Sequence, residues 1–323
     1  CIRASGIRRI FEKAEGRKDL INFSIGQPDI SVPSKIKKSM MQAIDDNKTG
    51  YTQTAGLESL RNKILGKYDV EGFSCVITSG VSSALFLAYS VLLEDDDEII
   101  VFDPYFVTYP DLAEFLGAKP VLVRTNDDFS VNIEELKKNI TGRTKAIIIN
   151  SPNNPTGHVM DEKEIRQVVD AAKENDLWLI SDEIYSDFDY EKRFKSVAGM
   201  YDKIVILSGY SKSYSMTGLR IGYAVAPAEA VDEMIKLQQY TFVCAPSIAQ
   251  HAVDENFDLD VSDRADVFKK RRDMLYNALE DICEIVKPAG AFYMFIKLPE
   301  GVNGDEFAER CLDSGLLVVP GSA

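Results

Sequence analysis

From about residue 74 the chain alternates short apolar runs with stretches whose apolar residues recur at helical spacing. The apolar runs cover 74–78, 98–102, 120–124, 145–150, 177–181, 203–207 and 221–226. Each is short enough to be a strand, and each is bounded by Gly, Pro, Asn, Asp or Ser. Helical patterns fill most of the gaps, at 82–93, 109–116, 133–139 and 162–175. This alternation predicts an α/β fold, a three-layer αβα large domain around a mostly parallel seven-stranded sheet. The gap between Leu207 and Ile221 holds no helical pattern, so one strand there is expected to run antiparallel.

Ahead of this region, Ser5 can cap a first helix over 6–14, residues 21–29 read as a short extended piece, and helices are predicted over 33–45 and 57–65. After Pro227 come helices over 229–239 and 265–282, then strand, helix and strand over 290–298, 305–314 and 316–319. The predicted division is 1–40 as an N-terminal arm and part of a smaller α+β domain, 41–262 as the large domain, and 263–323 as the C-terminal part of the small one. The smaller domain is thus built from the two chain ends. The last apolar run enters the turn Pro320–Ala323 with nothing after it, so further C-terminal residues are expected in the natural protein.

Composition narrows the function classes. At 323 residues and 45% hydrophobic the chain can bury a large core. A net charge of −14 argues against a general nucleic-acid binder, which needs a basic face. No apolar run approaches the roughly 20 residues of a bilayer-spanning helix, and the first residues, CIRASGIRRIFEKAEG, are charged and unlike a secretory signal. Five scattered cysteines suggest reduced thiols in a cytoplasmic protein, and two distant histidines offer little to a metal. No metal site is expected.

Candidate chemistry lies just past the strand ends, where open α/β sheets bind ligands. The loop SGYSKSYSMTGLRIGY, 208–223, carries Lys212 and Arg220. Partial burial would lower the lysine's pKa and free its amine to attack an aldehyde. The planar fork of Arg220 suits a phosphate. Aldehyde plus phosphate suggests pyridoxal phosphate, although a lone loop lysine is more often a surface residue. The other strand ends add to the case. At 78–85 a Gly80 turn opens a helix, giving either an anion cup of backbone N–H groups or a plain cap. At 102–110 three aromatics offer a flat face for a planar ring, or simple packing. At 150–157, SPNNPTG follows Asn150 and carries amides that can donate to a ring oxygen, or forms a proline turn. At 180–185 Asp182 is either a helix cap or a buried acid paired with a protonated pyridine nitrogen, and Tyr185 could reach the ring oxygen. Neither common nucleotide-binding glycine motif is present.

Taken in order, IGQPD, YTQTAG, DPYF, SPNNPTG, SDEIY and SGYSKSYSMTGLRIGY resemble the motif set of class I/II aminotransferases, of pyridoxal-phosphate fold type I, over nearly the whole chain. The resemblance implies pyridoxal 5′-phosphate as cofactor and amino-acid and 2-oxo-acid substrates in a ping-pong exchange through pyridoxamine phosphate. It implies that Lys212 bonds the cofactor and then moves the substrate proton, with Asp182 on the pyridine nitrogen and Tyr185 and Asn154 on the ring oxygen. Phe106 and Ile184 would lie on the two ring faces, and Gly80, Val81, Ser82, Ser211 and Arg220 would hold the phosphate. Gly209 stands where many relatives carry a phosphate-binding serine, and that role passes to Ser211, with Ser208 as the alternative. Tyr51 would reach a neighbouring subunit's cofactor, making the active unit a homodimer with shared sites. Gly26 would close over the substrate, which Asn154 also touches. The family's arginine for the substrate α-carboxylate falls beyond Ala323. The residues alone leave open a lyase, decarboxylase or synthase on the same scaffold, or a non-catalytic cofactor-binding regulator.

Overall fold

The computed structural model describes residues 16, 17 and 19–323, and the helix expected over 6–14 lies outside them. A two-residue strand β1 (Ile21–Asn22) comes first. Seven strands then build the central sheet: β2 (Phe73–Thr78), β3 (Glu98–Asp103), β4 (Lys119–Arg124), β5 (Thr144–Asn150), β6 (Trp178–Asp182), β7 (Ile204–Gly209) and β8 (Gly222–Pro227). Their spatial order is β2-β8-β7-β6-β5-β3-β4. All neighbours are parallel except β8, which runs antiparallel to both β2 and β7. The cause is the short link from β7, which contains a single 3-10 turn at Thr217–Leu219, too little for the crossover that a parallel return requires.

Alternate residues of these strands enter two cores. Cys75, Ile77, Ile100, Ile147, Leu179 and Ile206 pack with the helix Glu162–Glu174 on one face. Val76, Ile99, Val101, Ile148, Ile180 and Leu207 pack with the helix Val81–Leu92 on the other. Both faces are therefore dry, which is why the strands read as continuous apolar runs. Full burial of each such side chain contributes about 1.5–3 kcal/mol, so the sheet is a rigid platform for the loops at its edge.

Three elements differ from expectation. The helix Ser247–Glu255 was not anticipated, because its buried face is built from Ala249, Ala252 and Val253, a weak periodic signal; it packs on the helix Ser34–Asp45. The extended piece over 21–29 is a strand only at β1. The strand expected over 290–298 shrinks to β10 (Ile296–Lys297), which pairs with β9 (Glu284–Ile285), while Phe292 and Tyr293 fold onto the aromatic cluster around Tyr185. At the far end β11 (Leu316–Leu317) pairs in parallel with β1, Ile21 opposite Leu316, so the first and last strands of the described residues meet. Among the described residues no helix is long and apolar enough to cross a membrane.

Candidate active site

Register places the chemistry. Asn150, the last residue of β5, stands opposite Asp182, the last of β6, and Asp182 stands opposite Leu207 of β7. Three parallel strands therefore deliver their carboxyl ends side by side, with Lys212 three residues beyond β7.

Asp182 is buried. Its Oδ2 accepts a hydrogen bond from the Tyr109 hydroxyl at 2.8 Å, and its Oδ1 accepts one from the Ile184 N–H at 3.2 Å. Burial pushes its pKa up to about 6, against the opposing pull of those two donors and of the Lys212 charge. Its carbonyl accepts from the Asn150 side-chain amide at 2.9 Å, and the Asn150 Oδ1 accepts from the Asn154 N–H at 2.7 Å. One asparagine thus ties the end of β6 to the SPNNPTG loop. That tie sets the Asn154 side chain against the Tyr185 hydroxyl, which also pairs with the Tyr293 hydroxyl at 2.6 Å.

The Lys212 amine is half-buried and donates to the Gly26 carbonyl at 2.6 Å. Desolvation lowers its pKa to about 8; the nearby Asp182 opposes the shift and Arg220 adds to it. It lies 5.7 Å from the centre of the Tyr185 ring and 5.9 Å from that of Phe292. Gly26 lies against Tyr293, whose hydroxyl leaves no room for a Cβ there.

Gly80, with φ of +84°, turns β2 into the helix Val81–Leu92. A Cβ on Gly80 would fall 2.5 Å from Arg220 Nη2, and one on Gly222 would fall 2.7 Å from the Val81 nitrogen. The close approach leaves a backbone cup whose first N–H groups have no helical acceptor. Arg220 is anchored beside it by bonds to the carbonyls of Thr217 (2.9 Å) and Ser79 (3.1 Å), and stays exposed. Ser82 is exposed on the first turn and Ser211 is buried. The Ser208 hydroxyl donates to the Glu183 carbonyl at 3.4 Å.

Of the remaining expected residues, Phe106 meets Tyr109 edge-on at 5.6 Å, and Ile184 packs with Tyr185 and Phe292. Tyr51 stands apart, 87% exposed. Tyr109 lies among the three aromatics at 102–110 but as a partner of Asp182 it is visible only in the structure, and Tyr293, Phe292 and Asn150 are site residues that the sequence does not point to. Asn150 and Tyr109 sat inside motifs already singled out, but their partners are fixed only by packing. Among the described residues no cluster of His, Cys, Asp and Glu could hold a metal ion.

A buried acid with no counter-ion beyond a lysine, an amine whose pKa burial has lowered, and an exposed guanidinium over a glycine cup match the ring nitrogen, aldehyde and phosphate of pyridoxal phosphate. The residues fit that group. The family model for aminotransferase class I and II matches residues 18–323. The chain is a class I and II aminotransferase. It is 37% identical to a probable aspartate aminotransferase of Methanocaldococcus jannaschii, over 100% of this chain and 89% of that protein. The aspartate aminotransferase of Thermus thermophilus with maleate superposes with a TM-score of 0.94 at 32% identity, covering 99% of this chain and 90% of that one. The aromatic aminotransferase of Pyrococcus horikoshii superposes with a TM-score of 0.91 at 33% identity, covering 98% and 90%. The aminotransferase therefore has the fold type I architecture, depends on pyridoxal 5′-phosphate, and transfers amino groups between amino acids and 2-oxo acids.

Proposed function

We propose that the pocket around Lys212 carries both halves of this aminotransferase's reaction. The observation that supports it best is geometric: the buried Asp182 carboxylate at the end of β6 and the half-buried Lys212 amine just past the neighbouring β7 come to the same edge of the sheet, each within reach of the other's charge. Arg220, Ser211, Ser82 and the backbone of Gly80 and Val81 would hold the phosphate, and Asp182 the ring nitrogen. Tyr185 and Asn154 would hold the ring oxygen, with Phe106 and Ile184 against the ring. When bound, the cofactor supplies an electron sink that acidifies the substrate Cα–H bond.

What the chain's own residues do follows from their environments. Lys212 takes the Cα proton and later returns it. At pH 7 about one in ten such amines is free base, against about one in three thousand for an ordinary lysine. Asp182 stays anionic because Tyr109 donates to it. Gly26 brings the N-terminal segment onto the amine and, with Tyr293, excludes water from that side; it and Asn154 would contact the substrate.

The relatives' names include aspartate, aromatic-amino-acid and N-acetyl-LL-diaminopimelate aminotransferases and do not choose the donor. An 87% exposed Tyr51 and an 85% exposed Tyr240 are large rings that bury little within one chain, which supports a homodimer in which Tyr51 serves the second site. The four described cysteines are free thiols, as suits the cytoplasm. The domain division is supported by the β1–β11 pairing. A boundary at residue 40 would cut the helix Ser34–Asp45, so the proposed boundary lies ahead of Ser34.

The test is spectroscopic. The purified protein with pyridoxal phosphate should be yellow and should bleach on addition of its amino donor. Lys212→Ala should retain cofactor non-covalently and lose turnover; full turnover in that variant would overturn the assignment.

A further inference from the structure

We propose that His158 is a positioning residue: its bond to Glu164 fixes the turn from which both partners of the Tyr185 hydroxyl, Asn154 and Tyr293, are suspended. The proposal rests on the reading above that Tyr185 and Asn154 hold the cofactor's ring oxygen. His158 acts on that oxygen only through the backbone of the turn.

The turn is first closed on itself. The Asn153 N–H donates to the His158 carbonyl at 2.8 Å, and the Gly157 N–H donates to the Asn153 carbonyl at 3.0 Å. The Asn153 Oδ1 accepts from the Thr156 N–H at 3.0 Å and from the Thr156 hydroxyl at 2.8 Å. The Thr156 Oγ1 accepts in turn from the His158 N–H at 3.1 Å. Residues Asn153 to His158 are therefore one rigid piece, with Asn154 inside it.

That piece also carries the other partner. The Gly157 carbonyl accepts from the Ala289 and the Gly290 N–H groups, each at 2.9 Å. A Cβ on Gly157, whose φ is +71°, would fall 2.5 Å from the Pro288 Cβ and 3.0 Å from the Tyr293 carbonyl oxygen. From the far side, the Tyr190 N–H donates to the Ala289 carbonyl at 2.9 Å and the Phe188 carbonyl accepts from the Ala291 N–H at 2.8 Å. Segment 288–293 thus lies directly against the turn, and from there the Tyr293 hydroxyl meets that of Tyr185 at 2.6 Å.

The bond from Asn150 to the Asn154 N–H fixes one end of this loop, and the His158 ring fixes the other. A carboxylate only accepts, so Nε2 is the donor, 3.0 Å from Glu164 Oε1 and 3.2 Å from Oε2. Glu164 is itself held: Oε1 accepts from the Val131 N–H at 2.9 Å, and Oε2 accepts from the Asp161 N–H at 2.9 Å in the capping box of the helix Glu162–Glu174. The two side chains are only 19% and 12% exposed, so solvent screens the pair little. Since that helix packs on the sheet, the ring ties the turn to the rigid core.

The experiment uses the full chain, with and without pyridoxal phosphate. Donors to the ring oxygen favour its anionic form, so weakening them raises the pH midpoint of the bound cofactor's absorbance change. His158→Leu, which keeps bulk and removes the donor, should raise that midpoint by about 0.5 to 1 unit, the equivalent of one hydrogen bond. His158→Gln, which restores an N–H, should lie closer to wild type. On an Asn154→Ala, Tyr293→Phe background, His158→Leu should add no further shift. In the cofactor-free protein, His158→Leu should speed amide exchange at Ala289 and Gly290 by about 3- to 10-fold. Glu164→Gln sets an amide N–H against one of three donors and should act in the same way, which covers a His158→Leu chain that does not fold. A midpoint unmoved in these variants but moved by Asn154→Ala overturns the proposal and leaves the ring-oxygen reading standing. A His158→Leu shift that persists in full on the Asn154→Ala, Tyr293→Phe background also overturns it. A midpoint that even Asn154→Ala leaves unmoved overturns both.

Discussion

Replacing Tyr109 by phenylalanine removes one oxygen atom and leaves the ring to fill its place. The lost group is the donor 2.8 Å from Asp182 Oδ2, in a site where both partners are buried. A hydrogen bond to a charged acceptor contributes about 1.5–3 kcal/mol, and its loss leaves the carboxylate with a single backbone N–H. At 1.36 kcal/mol per pKa unit this should raise the Asp182 pKa by about one to two units. Starting from about 6, the acid would then titrate between about 7 and 8. At neutral pH the wild-type group is mostly ionised, whereas the variant would be half or more protonated and unable to act as the anion facing the ring nitrogen. The assay is the affinity of the cofactor-free protein for pyridoxal phosphate from pH 5 to 9. The acid limb of that profile should move up by about one to two units, with near-normal affinity recovered at the alkaline end. A limb at the wild-type position, or a loss of affinity equal at every pH, would refute the reasoning.

Other expectations follow from the same site. Lys212 has its pKa lowered to about 8, so between about pH 8 and 10.5 the unfolded chain holds a proton that the folded one does not. Stability of the cofactor-free protein should therefore rise with pH through that window. Lys212→Met should stabilise it at pH 7 by about 2 kcal/mol, discounted for the amine's partial exposure, with the gap closing near pH 10 in thermal melts. Glu183, buried behind Asp182 and hydrogen-bonded by Ser181, Ser196 and Val197, is pushed up to about 7. Its folded pKa is raised, so cofactor-free wild type should lose stability as pH climbs from about 4.5 through 7, and Glu183→Gln should flatten that slope in denaturant titrations. Gly80→Ala puts a Cβ 2.5 Å from Arg220 Nη2 at φ of +84°. It should weaken pyridoxal phosphate binding by about 5- to 150-fold, from roughly 1–3 kcal/mol of strain, and affect phosphate-free pyridoxal much less.

Much of this was legible in the chain. The seven sheet strands agree with the expected runs to within a residue or two, because burial on both faces makes each a short apolar run, and its length and bounding turn residues separate it from a helix. The antiparallel strand was legible from the absence of a helix between Leu207 and Ile221. The helix Ser247–Glu255 was not, since alanines on its buried face carry little periodic signal. The strand expected at 290–298 failed for a different reason. Its apolar residues are there to reach Tyr185 and the Lys212 amine, and Ala291 adopts φ of +53°, outside any strand conformation.

By itself the sequence determined which residue types stand at the ends of the strands, since periodicity and turn chemistry are properties of neighbours in the chain. It could not determine who meets whom. Tyr109 and Asp182 lie 73 positions apart, Tyr185 and Tyr293 108, and Lys212 and Gly26 186. Those partnerships depend on strand order and helix packing, and they set whether an acid is ionised or an amine is free. A pKa is a property of surroundings, and in this protein the surroundings come from segments far apart in the chain.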